Sequence, residues 1–251
     1  MATNRPVWVV VTAAGSGSRL GHSVPKALVE VGGTPALTRV LITLSQIDEI
    51  EGVVVTYPSE HAEAFEASVP ARLPFKLHMI SGGPSRQASV FRGLQVVSEQ
   101  ASDALVLIHD AARCLAPASA FERVIGHLRD GAVAITTALP VADTIKLVSG
   151  EQDLALVVET PTRHLLRAVQ TPQGFDLGRL IDAHRQLQQI SEDETIAAPD
   201  DAAIMEALEY PVRVCQGDEM SFKITTAKDL ALANLLAQPV KTQRGPFEGR
   251  N

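Results

Sequence analysis

The sequence predicts an α/β fold with a mainly parallel sheet and helices on both faces. Three observations predict it. Apolar, β-branched runs of strand length recur at Val7–Ala13, Val53–Tyr57, Phe75–Ile80, Ala104–His109 and Ala132–Thr137. Between most of them lie Pro35–Gln46, Ser85–Gln100 and Ser119–Arg129, whose apolar residues fall at i, i+3, i+4 spacing, so strands and helices alternate as a βαβ series. A glycine-rich segment follows the first run at once, where a first βα turn can present backbone to an anion. Such an alternation implies a sheet covered on both faces.

The later elements depart from that rhythm. After Pro140, Asp143–Val148 and Leu154–Glu159 read as two extended runs around Ser149-Gly150, a β-arm at about residues 141–162 inserted into the series. Helical spacing returns at Leu177–Gln189 and Asp200–Glu209, followed by a strand at Val212–Cys215 and a last helix at Thr226–Ala237. Residues 1–237 are expected to form a single domain with the arm inserted. Residues 238–251, with Pro239, Gly245, Pro246 and Gly249, are expected to be a disordered tail.

Composition narrows the function classes. The 251 residues are 45% hydrophobic and 20% charged, enough to bury a sizeable core without staples. Absent are an eighteen-residue apolar run and a basic segment ahead of an apolar one, so neither a membrane partner nor export is expected. Cys114 and Cys215 stand far apart with no clustered histidine, which argues against a zinc site or a disulfide framework and fits a reducing cytoplasm. A net charge of -7 and 4% aromatics give no footprint for nucleic acid. Any polyanionic ligand must therefore be met by a local cluster of cations.

The glycine-rich segment supplies the first part of such a cluster. It reads Ala13-Ala14-Gly15-Ser16-Gly17-Ser18-Arg19-Leu20-Gly21 and runs on to Val24-Pro25-Lys26. Glycines bring backbone N–H groups close to an anion, so Ala13, Ala14, Gly15, Gly17 and Ser18 are candidates for a phosphate cradle. Beside it, Arg19 offers a bidentate fork and Lys26 a movable point charge. Two common alternatives fit poorly: no helix opens directly after the glycines, as a dinucleotide fold requires, and the GK[ST] ending of a P-loop is missing.

Further candidates follow along the chain. Gly82-Gly83, with Arg86 and Ser89 behind it, closes the third run and opens a helix that Ser85 would cap; backbone and hydroxyl groups there could also read a base edge. Asp110, Ala111 and Arg113 end the fourth run, at the carboxyl edge where open α/β sheets bind ligands. Asp110 and Arg113 could equally pair with each other, and His109 reads as a buried core histidine. Thr171 sits in a frame made rigid by Pro172. Asp200-Asp201 at a helix start could be N-cap charges. Lys223 falls in a short apolar stretch, Phe222-Lys223-Ile224, expected to be a strand, where a lysine is costly unless it meets an anion.

In this order and spacing, AAGSGSRLGHSVPKAL, GGPSRQASVFRGL, VLIHDAARCL, PVADTIK, RAVQTPQGF, DDAAIME and FKITTAKDL resemble the 2-C-methyl-D-erythritol 4-phosphate cytidylyltransferases of the non-mevalonate isoprenoid pathway. The resemblance runs from Val9 to about Leu235 and implies a Rossmann-like fold. It implies a homodimeric, Mg²⁺-dependent enzyme that joins CTP to 2-C-methyl-D-erythritol 4-phosphate and releases pyrophosphate, the metal bound mainly through the CTP phosphates. By resemblance Arg19, Lys26 and Lys223 are catalytic. Gly82, Gly83 and Ser89 recognise cytosine, and Asp110 with Ala111 lies near the ribose and phosphates. Asp110, Arg113, Thr144, Arg163, Thr171 and Lys223 bind the acceptor, Thr144 and Arg163 from the neighbouring subunit's arm. Cys114, Ala27, Pro199 and Ser221 depart from residues common in the family, but none removes a needed charge. A ribitol 5-phosphate cytidylyltransferase shares the fold and the nucleotide motifs. A non-catalytic nucleotide-binding module would be expected to lose Arg19, Lys26 or Lys223, and all three are present.

Overall fold

The computed structural model describes residues 5–14, 25–151, 153–187 and 198–237. Its first strand, β1 (Val7–Thr12), is buried on both faces, and side-chain alternation divides it between two cores. Val7, Val9 and Val11 face one, Trp8 and Val10 the other. Around β1 the described residues form a seven-stranded sheet in the order β11-β7-β10-β6-β1-β4-β5. The other strands are β4 (Ile50–Tyr57), β5 (Lys76–Ser81), β6 (Leu105–Asp110), β7 (Ala134–Pro140), β10 (Arg167–Asp176) and β11 (Val212–Gln216). A two-stranded hairpin, β2 (Glu30–Val31) with β3 (Thr34–Pro35), stands apart from the sheet.

The helices cover both faces, as the βαβ alternation requires. On the first core lie α1 (Ala36–Leu44), α2 (Ala62–Ala67), α4 (Ala118–Arg129) and α7 (Ala227–Leu236); on the second lie α3 (Arg86–Gln100), α5 (Leu177–Gln186) and α6 (Asp201–Ala207). Their ends follow local chemistry. Ser85 caps α3 by accepting from Ala88 N at 3.0 Å, and Thr226 with Asp229 closes a capping box on α7, each satisfying N–H groups that a helix leaves unpaired. The helix expected at Leu177–Gln189 is Leu177–Gln186, and residues 188–197 lie outside the described ones, as does the tail from 238.

The sheet holds one strand that the sequence pattern did not predict. β10 lies antiparallel between β6 and β7, inside a sheet otherwise parallel, where the sequence indicated only a rigid frame around Thr171-Pro172. Proline removes a ladder donor, and the register to β7 lapses between Val169 and Gln173, so Pro172 occupies the lapse. Two buried glutamines bond there. Gln173 Nε2 donates to Thr136 Oγ1 at 2.9 Å and Asp200 Oδ2 at 2.8 Å, and Gln170 exchanges two hydrogen bonds with the backbone of Asp218. The expected strand at Phe222–Ile224 is not one: that segment is irregular. Helix α2 and the β2–β3 hairpin were likewise unforeseen, and β4 starts earlier than its β-branched run, at Ile50, passing through Gly52, which lies against Trp8 where a Cβ would collide.

Candidate active site

The parallel strands β4, β1, β5 and β6 end on one edge of the sheet, and the predicted residues gather there. At its centre is Asp110, the last residue of β6. Its Oδ1 accepts from Thr12 Oγ1 at 3.1 Å and Arg86 Nε at 3.2 Å, and its Oδ2 accepts from Lys223 Nζ at 2.7 Å. Burial would push this carboxyl up, but the charges of Arg86 and Lys223 outweigh it and hold it well below the usual carboxylate range. Asp110 is therefore an anion at any working pH. Its backbone N–H donates to Thr171 Oγ1 at 3.1 Å, and that hydroxyl also meets His109 Nδ1 at 3.0 Å. His109 is fully buried, which depresses its pKa to about 4. It is the neutral core histidine that the sequence indicated.

Lys223 reaches Asp110 because its irregular segment is fastened at several points. Ile224 N donates to Ala112 O at 2.9 Å, Arg113 Nη1 donates to Ser221 O at 2.8 Å, and the Gln170–Asp218 pair holds the segment's start. The capping box of α7 anchors its end, with Thr225 N and Thr226 N both donating to Asp229 Oδ2. One backbone bond and several side-chain bonds to the segment's backbone thus take the place of the expected strand. Arg113 makes no ion pair with Asp110 within 4.0 Å; its guanidinium is turned to the carbonyls of Ser221 and Val169.

Beside this charged centre lies a close-packed backbone region. Ala13 N donates to Thr56 O at 2.9 Å, Ala111 N to Thr12 O at 3.0 Å and Gly82 N to Tyr57 O at 2.8 Å, so the exits of four strands, β1, β4, β5 and β6, are tied together. A Cβ on Gly82 would come within 2.9 Å of Ala14 Cβ and 3.0 Å of Ser89 Oγ. Only glycine permits that approach. The Ser89 hydroxyl accepts from Gly83 N at 2.9 Å and donates to Ser85 O at 2.8 Å, which fixes the Gly82-Gly83 exit from behind. Lys26 opens a short 3-10 turn, Lys26–Leu28, at the foot of the hairpin. Gly15, Gly17, Ser18 and Arg19 lie outside the described residues.

Thr144 and Arg163 are not at this centre. They belong to the arm, whose strands β8 (Leu147–Val148) and β9 (Val157–Glu159) pair antiparallel over a shorter span than the two extended runs indicated. Both residues are exposed, and Arg163 Nη1 donates to Ala142 O at 3.0 Å within the arm. Two residues missing from the expected set are at the centre instead. Arg86 bridges Asp110 and Asp201, its Nη1 lying 2.8 Å from Asp201 Oδ2. Asp200 is the N-cap of α6, accepting from Ala203 N at 2.8 Å, whereas Asp201 is fully buried. The adjacent acids thus divide into a cap and an ion-pair partner. The available signal was a charged residue at the first position of each of two helices packed on the same core.

Residues 7–238 match the family model for 2-C-methyl-D-erythritol 4-phosphate cytidylyltransferase. A curated enzyme of that name from Rhodococcus opacus is 45% identical over 239 residues, covering 95% of this chain and 98% of its own. One from Corynebacterium diphtheriae is 42% identical over 240 residues, covering 92% and 93%. A crystal structure of 4-diphosphocytidyl-2C-methyl-D-erythritol synthase from Anaerococcus prevotii superimposes with a TM-score of 0.78 at 28% identity, covering 93% of this chain and 98% of the other.

Proposed function

The chain belongs to the 2-C-methyl-D-erythritol 4-phosphate cytidylyltransferase family, and from that membership we infer how its residues carry the reaction. It transfers the cytidylyl group of CTP to 2-C-methyl-D-erythritol 4-phosphate, giving 4-diphosphocytidyl-2-C-methyl-D-erythritol and pyrophosphate. The observation that carries the assignment of roles is the anchored Lys223 ammonium, held 2.7 Å from the Asp110 carboxylate at the carboxyl edge of the sheet.

A phosphate oxygen of the acceptor attacks the α-phosphorus of CTP; that P–O bond forms as the bond to the β-phosphate's bridging oxygen breaks, and pyrophosphate leaves. No general base is needed, because a phosphate monoester with a second pKa of about 6 is already mostly dianionic at neutral pH. The protein's work is positioning and electrostatic stabilisation. Arg19, Lys26 and Lys223 stabilise charge around the α-phosphorus. Backbone at Ala13, Ala14, Gly15, Gly17, Ser18 and Ala111 lies along the nucleotide, and Gly82 and Gly83 read the cytosine edge with Ser89 holding them in place.

Mg²⁺ fits this donor set through Asp110. The described residues contain no group of three or more metal-binding side chains, so the ion would take most of its oxygen ligands from the triphosphate and water, with this ionised carboxylate beside them. When bound it would neutralise charge on the phosphates. Arg113 and Thr171 serve the acceptor side of the same site. We further propose that the protein works as a two-fold dimer, in which the arm carries Thr144 and Arg163 into the partner's site. Its support is the apolar surface on the arm, where Leu154 is 92% and Leu156 78% exposed.

A pyrophosphate-release assay tests the whole reading. CTP with 2-C-methyl-D-erythritol 4-phosphate and Mg²⁺ should be the productive combination among four nucleotides and several sugar-alcohol phosphates. Equal turnover with ribitol 5-phosphate would overturn the acceptor assignment.

A further inference from the structure

Asp201 is a fully buried carboxylate in the first turn of α6, on the side of the sheet covered by α3 and α5. A buried charge costs more than an apolar side chain of similar size unless it is fully partnered. Asp201 is partnered on both oxygens. Oδ2 accepts from Arg86 Nη1 at 2.8 Å, and Oδ1 lies 3.2 Å from His184 Nε2. An ionised carboxylate only accepts, so Nε2 of His184 carries the hydrogen. The His184 ring is in turn stacked on Phe91, with centroids 5.7 Å apart and planes 9° from parallel.

Arg86 has an equally particular placement. It is the first residue of α3, where the helix dipole disfavours a cation. Burial also opposes its charge, but Asp201 and Asp110 outweigh that and raise its pKa above the ordinary guanidinium value. One edge of the guanidinium meets Asp201 and the other meets Asp110. Only a rigid, planar fork can span two carboxylates from different elements in this way. With Oδ1 of Asp110 taken by Arg86 and Thr12, the plane of that carboxylate is set, and Oδ2 is left toward Lys223.

We propose that Asp201 and Arg86 are positioning residues for cytidylyl transfer, acting in series: Asp201 fixes Arg86, Arg86 fixes the Asp110 carboxylate, and Asp110 fixes the ammonium of Lys223. This rests on the assignment of Lys223 to the reacting phosphates. It gives the buried acid a function in a reaction whose substrates it does not touch. It also explains why Asp201 and its neighbour Asp200 cannot exchange roles: one end of the chain of contacts must be buried to be rigid, whereas a cap needs only its own helix.

The test is a double-mutant cycle. Asp201→Asn keeps the shape and removes the charge; Arg86→Lys keeps the charge and removes the fork. Each is made alone and together with Lys223→Ala, and single-turnover pyrophosphate release is measured per folded molecule. Alone, each should lower kcat by about 10-fold while the KM for CTP stays within about 3-fold. On the Lys223→Ala background each should change the rate by less than about 2-fold, since the group it positions is gone. A purely structural role would instead lower thermal stability and multiply in full with Lys223→Ala. That result overturns the proposal, as does unchanged kcat, or a loss confined to the KM for CTP, which would mean that Arg86 binds the nucleotide directly. If Asp201→Asn does not fold, the Arg86→Lys cycle decides alone. Lys223→Ala with wild-type kcat would instead defeat the assignment of Lys223 itself, and with it the series.

Discussion

The centre around Asp110 and the arm beyond Pro140 present opposite physical problems within one chain. At the centre, charges are packed together and both buried carboxylates are answered: Asp110 by Arg86, Thr12 and Lys223, Asp201 by Arg86 and His184. In the arm, Leu147, Leu154, Leu156, Val157 and Val158 are exposed, and two short strands give it little structure of its own. A polar network that is completed internally specifies its own geometry. Exposed apolar surface on a short hairpin specifies nothing until something covers it. The chain therefore builds the site's charge distribution by itself, whereas the arm keeps its apolar side chains on the surface.

The largest expected effect lies at the centre. Lys223→Ala should lower kcat by about 10²- to 10³-fold, the usual cost of removing one preorganised charged donor. Because the Lys223 side chain is 43% exposed, thermal stability should change little. A parallel fall in melting temperature would show that the lysine supports the fold and would erase the contrast with the arm.

A second effect sharpens the contrast through pH. His109 is held neutral with a pKa of about 4, against an ordinary value of 6.5. Between those values the unfolded chain binds a proton that the folded chain refuses, so stability rises with pH across that window and is complete above about 6.5. The contribution lost on acidifying to pH 4 is on the order of 3 kcal/mol. His109→Gln should flatten that part of the profile in urea titrations. Asp110 and Asp201, whose pKa values are depressed, act in the same direction lower down: their contribution is present above the ordinary carboxylate range and is lost as pH falls through the folded-state values. An unchanged slope in the His109→Gln variant would mean that the acid sensitivity arises elsewhere.

How much of this could be read beforehand differs between the same two regions. The parallel strands are legible because burial on both faces makes their runs continuously apolar, as Val7–Val11 and Leu105–Ile108 show. The arm is legible by its interruption of the helix–strand alternation. β10 is not, since Gln170, Pro172, Gln173 and Gly174 look like a loop until their partners are known: Asp218, Thr136 and Asp200 for the glutamines, and the close approach of Val124 and Leu128 for the glycine. The Arg86–Asp201 pair is hidden for a related reason. A separation of 115 residues leaves no local spacing to detect, and Asp200-Asp201 has the form of an ordinary helix cap. That Lys223 meets an anion agrees with the expectation, but its premise does not hold: the segment is not a strand and the Lys223 side chain is 43% exposed, because tertiary bonds to Arg113 and Ala112 replace the ladder.

The smallest expected signal tests whether the arm is completed by a twin. If Arg163 serves the neighbouring subunit's site while Lys26 serves its own, a dimer of one Lys26→Ala chain and one Arg163→Ala chain contains one intact site and one doubly damaged site. Random exchange of equal amounts makes about half of the dimers mixed, and half of the sites in those are intact, so activity should return to about a quarter of wild type. If both residues act within one subunit, every site in the mixture keeps a lesion and nothing returns. Each parent must first be shown inactive, and exchange must be followed independently, for instance by mass-labelling one parent. Recovery near a quarter would mean that the exposed hairpin is the unfinished half of an active site. A fully exchanged mixture without recovery would leave the Asp110 centre as the whole of it.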